Sequence, residues 1–279
     1  MRTTDDLIKL ALHEDIGPGD ITTDNLVTAD TQGKGVIIAK QDLIIAGLAV
    51  TEQVFHTLDP KIVFDACFSD GQPVTAGSTV VRIDGSLKTL LKGERTALNF
   101  LQRLSGIATQ TRAYVIAVAG TGVKLVDTRK TAPGWRVLEK HAVRAGGAGN
   151  HRMGLFDGVL IKDNHIAVAG GIANAVSAIK KQISHLVKVE VETTSIEEVK
   201  EALTAGADII MLDNMDVDQI RQAVEVINKR ALVEISGGVT REKLKDLART
   251  GVDLISIGAL THSAVAVDLS MRIEPTTTS

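Results

Sequence analysis

Two hydrophobic rhythms divide the chain. From Val123 onward short β-rich runs recur: VKLV from Val123, GVLI from Gly158, VKVEVE from Val187, DIIML from Asp208, ALVEI from Ala231 and DLISI from Asp253. Amphipathic stretches between them predict helices around Pro133 to Ala145, Gly171 to Ser184, Ser195 to Ala205, Asp216 to Asn228 and Arg241 to Thr250, with Pro133 in the first turn of its helix. Strands alternating with helices are the signature of βα units around a parallel sheet. Six strands are visible rather than eight, and the fingerprint G-x-G-x-x-G of an open dinucleotide-binding sheet is missing after the first. The pattern therefore predicts an incomplete α/β barrel.

The earlier part of the chain reads differently. A helix is expected near Asp5 to Leu12, capped by Thr4, then strands at Gly35 to Lys40, Leu43 to Ala46, Ile62 to Ala66 and Thr79 to Asp84, separated by turns containing Gly and Pro. This α+β block leads into a long helical pattern from Thr89 to Ala119, with Leu90, Leu98, Leu101 and Leu104 at roughly helical spacing and a break expected at Gly106.

Composition narrows the function classes. The 279 residues are 44% hydrophobic and 23% charged, as in a globular protein, which excludes disordered, collagen-like and coiled-coil classes. With Lys+Arg 31 against Asp+Glu 34 the formal charge is −3, so no global basic field argues for nucleic acid or a membrane, and anion recognition must be local. The lone cysteine, Cys67, permits neither an intrachain disulfide nor a cysteine zinc site and fits a reducing compartment, so a cytoplasmic address is expected. The opening MRTTDDLIKLALHED places acids where a signal peptide needs an apolar stretch, and the most apolar region, Val36 to Val50, is interrupted by Lys40, Gln41 and Asp42.

The residues at and just beyond the strand ends carry the chemistry: Asp127 to Lys130, Lys162 to Asn164, Glu190 and Glu192, Asp213, Ser236 to Gly238, and Gly258. In an α/β barrel the carboxyl ends of the strands form one rim, so these scattered residues converge there. Arg129 offers a rigid fork and Lys130 a compact charge, a pair suited to a ligand with several anionic groups, and His151 with Arg152 repeats the theme ahead of Lys162. Arg136, Lys140 and Arg144, four apart, read as one solvated helix face. In VKVEVE the residues Lys188, Glu190 and Glu192 share one strand face, whose plain reading is a half-solvated strand; two carboxylates at the ends of successive strands, Glu192 and Asp213, would supply oxygen ligands for Mg²⁺. Small residues at Ser236, Gly237, Gly238, Gly258 and Ala259, with a helix expected from near Thr240, form a cradle for phosphate.

Longer segments carry a specific resemblance: ALHEDIGPGDITT from Ala11, ERTALNFLQRLSGIAT from Glu94, DTRKTAPGWRVLEKHAVRAGG from Asp127, NHRMGLFDGVLIKDNH from Asn150, and the later VEVE, AGADIIMLDNM, EISGGV and SIGALTHS. Over nearly its whole length the chain resembles the quinolinate phosphoribosyltransferases, with DTRKT, NHR and LIKDNH intact, unlike a molybdenum-associated branch of that family. The resemblance implies a type II phosphoribosyltransferase: an N-terminal α/β sandwich over residues 1–122, the barrel over 123–265, and a tail, 266–279, returning to the first domain. It also implies a homodimer in which one subunit's N-terminal domain covers its neighbour's barrel. Quinolinate carboxylates would then meet Arg129, His151, Arg152 and Lys162, with Arg95 reaching in from the partner subunit. Lys130, Glu192 and Asp213 would fall on the phosphoribosyl pyrophosphate and Mg²⁺ side, and Ser236, Gly237, Gly238, Gly258 and Ala259 would surround the 5′-phosphate. Three positions depart from the family pattern: Trp135 for a smaller aliphatic, His141 for tyrosine and Ala148 for glycine.

Two other readings of the same residues stay open from the sequence. One is a barrel aldolase or decarboxylase with Lys130 or Lys162 as a Schiff-base nucleophile. The other is a sensor that binds a pyridine dicarboxylate or sugar phosphate without turnover.

Overall fold

The computed structural model describes residues 4–276. Its elements run α1 (Thr4–Ile16), α2 (Ile21–Leu26), β1 (Gln32–Ala39), β2 (Leu43–Ile44), α3 (Leu48–Leu58), β3 (Val63–Ala66), β4 (Pro73–Val74), β5 (Thr79–Ser86) and α4 (Leu87–Ala117). They continue through β6 (Lys124–Val126), α5 (Arg136–Gly146), β7 (Val159–Ile161), α6 (Asp163–Ala169), α7 (Ile172–Lys180), β8 (Val189–Thr193) and α8 (Ile196–Thr204). The remainder is β9 (Ile209–Asp213), α9 (Val217–Ile227), β10 (Leu232–Ser236), α10 (Leu244–Ala248), β11 (Leu254–Ser256), α11 (Ala259–His262) and β12 (Leu269–Pro275). Two compact units result: one takes the described residues up to Arg112, Thr131–Gly147 and those from Leu260 on; the other takes Ala113–Lys130 and Ala148–Ala259.

The second unit holds a six-stranded sheet of order β6-β11-β10-β9-β8-β7, and every pairing in it is parallel. After β7 each new strand is added on the same side until the last, β11, lies beside the first, β6. That winding is a barrel's, and it is incomplete because β6 and β7 remain the two edges. At the open seam Gly149 bridges Val126 instead. Every strand contributes buried aliphatics, among them Val189 and Val191 on β8, Ile210 and Leu212 on β9 and Ile255 on β11. The apolar faces of α8 and α9 close the outer layer through Val199, Ala202, Ile220 and Ala223. The six strands expected from the sequence are these six.

The first unit is built on an antiparallel sheet of order β12-β1-β5-β3, with β2 and β4 paired separately. Alternation along β1 buries Ile37 and Ala39, which join Val81 and Ile83 of β5 in the core. Helix α3, not anticipated from the sequence, buries Val54 and Phe55 and is tied at its start by Asp70, whose carboxylate accepts the N–H groups of Gly47 and Leu48 at 3.0 and 3.2 Å. His141, the departure noted above, donates to that same carboxylate over 2.7 Å. Burial pushes the Asp70 carboxyl up, but the bonds from His141, Gly47 and Leu48 outweigh it and hold it below the usual range.

Several expectations are corrected. Helix α4 runs unbroken through Gly106; glycine stands there because a Cβ would come 2.1 Å from the Val265 carbonyl oxygen, a close approach rather than a hinge. Thr4 lies within α1 instead of capping it. Pro133 precedes α5, which starts at Arg136, and the helix after β10 starts at Leu244, not near Thr240. Lys140 is fully buried, so Arg136, Lys140 and Arg144 are not one solvated face. No helix among the described residues is long and apolar enough to cross a membrane.

Candidate active site at the strand ends of the barrel

The loop after β6 is fixed by a buried carboxylate. Asp127 has no exposed surface; its Oδ1 accepts the His151 backbone N–H at 2.9 Å and its Oδ2 the Asn150 side-chain amide at 2.7 Å. One residue thus pins the start of the NHR segment to the end of β6, from which Arg129 and Lys130 project, both exposed. Arg152 Nη1 donates to the Gly158 carbonyl at 3.0 Å. Burial, then the charge of Arg129, lowers the Arg152 guanidinium from its ordinary value, while Glu190 and Asp157 oppose that shift. Arg129 and Arg152 are therefore electrostatic neighbours, held there although they repel each other.

Lys162 leaves β7 and its Nζ donates to Glu192 Oε2 on β8. Lys162 Nζ is thus engaged by a carboxylate of the neighbouring strand rather than presented alone, which counts against Lys162 as a Schiff-base nucleophile. Asp213 ends β9 directly opposite Ser236 of β10. Its Oδ2 accepts from the Asn214 amide at 3.1 Å, and a Cβ at Gly237 would lie 2.9 Å from its Oδ1, so the glycine (φ 85°) keeps the space beside the carboxylate open. Ile235 pairs with Ile255, so the segments Ser236 to Gly238 and Gly258 to Ala259 leave adjacent strands side by side. Glu192 and Asp213 offer oxygen ligands from neighbouring strands, a hard donor set that fits Mg²⁺.

The strand ends thus gather Lys162 with Glu192, Asp213 with Ser236 and Gly237, and Arg129 with Arg152. Arg95 belongs to the first unit; it is exposed on α4. The glutamate face of VKVEVE is not half-solvated: Glu190 is 4% exposed, and Lys188 lies outside the strand. Sequence reasoning also passed over Glu234 of β10, 1% exposed. Its Oε1 stands 3.6 Å, and Glu190 Oε2 3.1 Å, from His151 Nε2. Burial, then the charge of Glu190, pushes the Glu234 carboxyl up to about 7. The available signal was a glutamate in the middle of an otherwise apolar strand, ALVEIS.

A singly wound, incomplete barrel that carries paired cations, two carboxylates and glycine-rich turns at its strand ends offers an anionic ligand both positive charge and approachable backbone. The chain belongs to the quinolinate phosphoribosyltransferase family: residues 20–105 match its N-terminal domain and residues 107–272 its C-terminal domain. It is 47% identical over 265 residues to a Synechocystis protein named "Probable nicotinate-nucleotide pyrophosphorylase (carboxylating)", covering 94% of this chain and 90% of that one. A nicotinate-nucleotide pyrophosphorylase (carboxylating) of Arabidopsis thaliana, described as chloroplastic, is 44% identical over 96% of this chain and 82% of its own. The crystal structure of NadC from Streptococcus pyogenes superposes with a TM-score of 0.94 at 42% identity, covering 98% of this chain and 97% of that one.

Proposed function

We propose that this chain transfers the phosphoribosyl group of 5-phosphoribosyl 1-pyrophosphate to quinolinate with loss of CO₂, yielding nicotinate mononucleotide and pyrophosphate for NAD biosynthesis. The observation that carries the reading is the opposition, at neighbouring strand ends, of Lys162 to Glu192, together with the Arg129 and Arg152 pair, in a chain that matches this family over residues 20–105 and 107–272. The cations suit a ring dicarboxylate; the carboxylates and cradle suit the sugar phosphate.

Arg129, Arg152 and Lys162 orient quinolinate by its two carboxylates, with His151 beside them and Arg95 supplied by the partner subunit of a homodimer. The 5′-phosphate sits against Ser236, Gly237, Gly238, Gly258 and Ala259, whose small side chains let backbone N–H groups approach it. Glu192 and Asp213 would hold Mg²⁺, which when bound neutralises charge on the departing pyrophosphate. Lys130 shares that neutralisation from the β6 loop. As the C1–O bond of the ribose breaks, the pyridine nitrogen forms its bond to C1. The ring is then cationic, so the bond from C2 to its carboxylate breaks, its electron pair remains on C2 beside the positive nitrogen, and C2 takes up one proton from solvent. The protein's part in that second stage is to keep the ring and its remaining carboxylate oriented while CO₂ leaves. A cytoplasmic setting belongs to this reading and is supported by the lone cysteine.

The test is direct. The protein, quinolinate, phosphoribosyl pyrophosphate and Mg²⁺ are incubated together and should give nicotinate mononucleotide with an equal amount of CO₂. Binding without product would overturn the enzymatic reading in favour of the sensor.

A further inference from the structure

We propose that the buried carboxylates Glu190 and Glu234 act as positioning residues, aiming the acceptor-binding arginine Arg152 through the imidazole of His151. The inference rests on the part given to Arg152 above. Inward positions of barrel strands are ordinarily filled by branched aliphatic residues. Here two alternate strands, β8 and β10, each carry a glutamate at such a buried position, and Glu190 Oε1 and Glu234 Oε1 have no hydrogen-bond partner among the described residues. Two buried acids retained at that cost of desolvation call for a reason.

His151 supplies it. Its Nδ1 accepts the Arg152 backbone N–H at 2.8 Å, so Nδ1 carries the lone pair and the ring proton sits on Nε2. That proton points between Glu190 Oε2 at 3.1 Å and Glu234 Oε1 at 3.6 Å. The backbone N–H of His151 is itself given to Asp127. With its main-chain N–H and both ring nitrogens engaged inside the barrel, the imidazole transmits orientation instead of reading the acceptor with a ring N–H. Glu190 fixes the ring, the ring fixes the Arg152 main chain, and the Gly158 carbonyl fixes one edge of the guanidinium. The Glu190 charge also offsets the repulsion that Arg152 meets from Arg129. A metal ion on His151, Glu190 and Glu234, whose ligand atoms lie within 4.8 Å of one another, would need the Nε2 lone pair, which the proton occupies.

Glu190→Leu removes the acceptor and keeps an apolar residue suited to a barrel interior, while Glu190→Gln removes the charge and keeps an oxygen for the Nε2 proton. In Glu190→Leu the KM for quinolinate should rise roughly tenfold while kcat and the KM for phosphoribosyl pyrophosphate stay within about threefold, the pattern of lost acceptor alignment. Glu190→Gln should recover most of that loss. Nitrogen NMR of the histidine-labelled wild-type protein, without substrates, should show His151 protonated on Nε2 alone. A His151 protonated on Nδ1, an unchanged quinolinate KM in Glu190→Leu, or a fall in kcat shared equally by both variants would overturn the proposal. So would a stoichiometric Zn²⁺ on the purified protein that Glu190→Leu abolishes. If the wild-type protein does not turn over quinolinate, the proposed function fails, and the His151 spectrum still judges the arrangement by itself.

Discussion

Lys162 and Glu192 are joined side chain to side chain across β7 and β8, so a residue assigned to the acceptor is held by a residue assigned to the metal and sugar phosphate. The lysine is partly exposed and the glutamate mostly buried. In Lys162→Met the stem still packs and the charge is gone. The fold should survive, with a melting temperature close to wild type, while calorimetric affinity for quinolinate falls by roughly tenfold or more. Normal quinolinate binding by that variant would remove Lys162 from the acceptor site.

In the proposed acceptor site the cations meet two carboxylates, and nicotinic acid lacks one of them. Turnover of nicotinic acid should be far below that of quinolinic acid, since an unpaired buried charge costs on the order of 2–5 kcal/mol. Side-by-side kcat/KM values for the two acids check this; equal values would show a pocket that reads only one carboxylate.

The assignment of Arg95 to the partner's site predicts complementation between two inactive proteins, Arg95→Ala and Lys130→Ala. When subunits exchange at random in a dimer of two-fold symmetry, a mixed pair has one doubly defective site and one intact site, and activity returns to roughly a quarter of wild type. If Arg95 serves its own chain, no activity returns although labelled subunits have demonstrably exchanged.

Glu234 predicts a slope in stability with pH. Its ordinary value of 4.5 is raised to about 7 by burial and by the Glu190 charge, so the native protein holds this proton more tightly than the unfolded chain. The contribution is fully present below the unfolded value and is lost as pH rises through about 7. Denaturant midpoints at about pH 5.5 and about pH 8 should therefore differ more in the wild-type protein than in Glu234→Gln, which cannot release a proton. Equal differences would mean that Glu234 does not titrate in this range.

The parallel sheet is legible because parallel strands buried on both faces must be short and apolar and alternate with helices, and the missing G-x-G-x-x-G after the first strand separates a barrel from an open doubly wound sheet. The rim came with it, since the residue after each strand has one place to go. What escaped depends on partners distant in sequence. Nothing local in EKHAV says that Lys140 is buried, and α3 could not be told from a strand because its apolar residues run on from β2. Gly106 read as a helix breaker because the carbonyl that demands a glycine there arrives from Val265, far along the chain. Glu190 reads as solvent-facing because in most sheets a glutamate is, and Glu234 draws no notice inside an apolar strand; only strand order brings the two under His151.

Strand β1 lies between β5 and β12, and β12 is the last strand of the described chain. On a ribosome the chain emerges in order, so β1 waits with one bare edge while some two hundred residues that include the whole barrel sheet are still being made. The barrel can finish its six-stranded ladder before the sheet that precedes it in sequence is complete. A chain cut short before Leu269 would keep that unprotected edge permanently, an invitation to pair with the same edge of another copy.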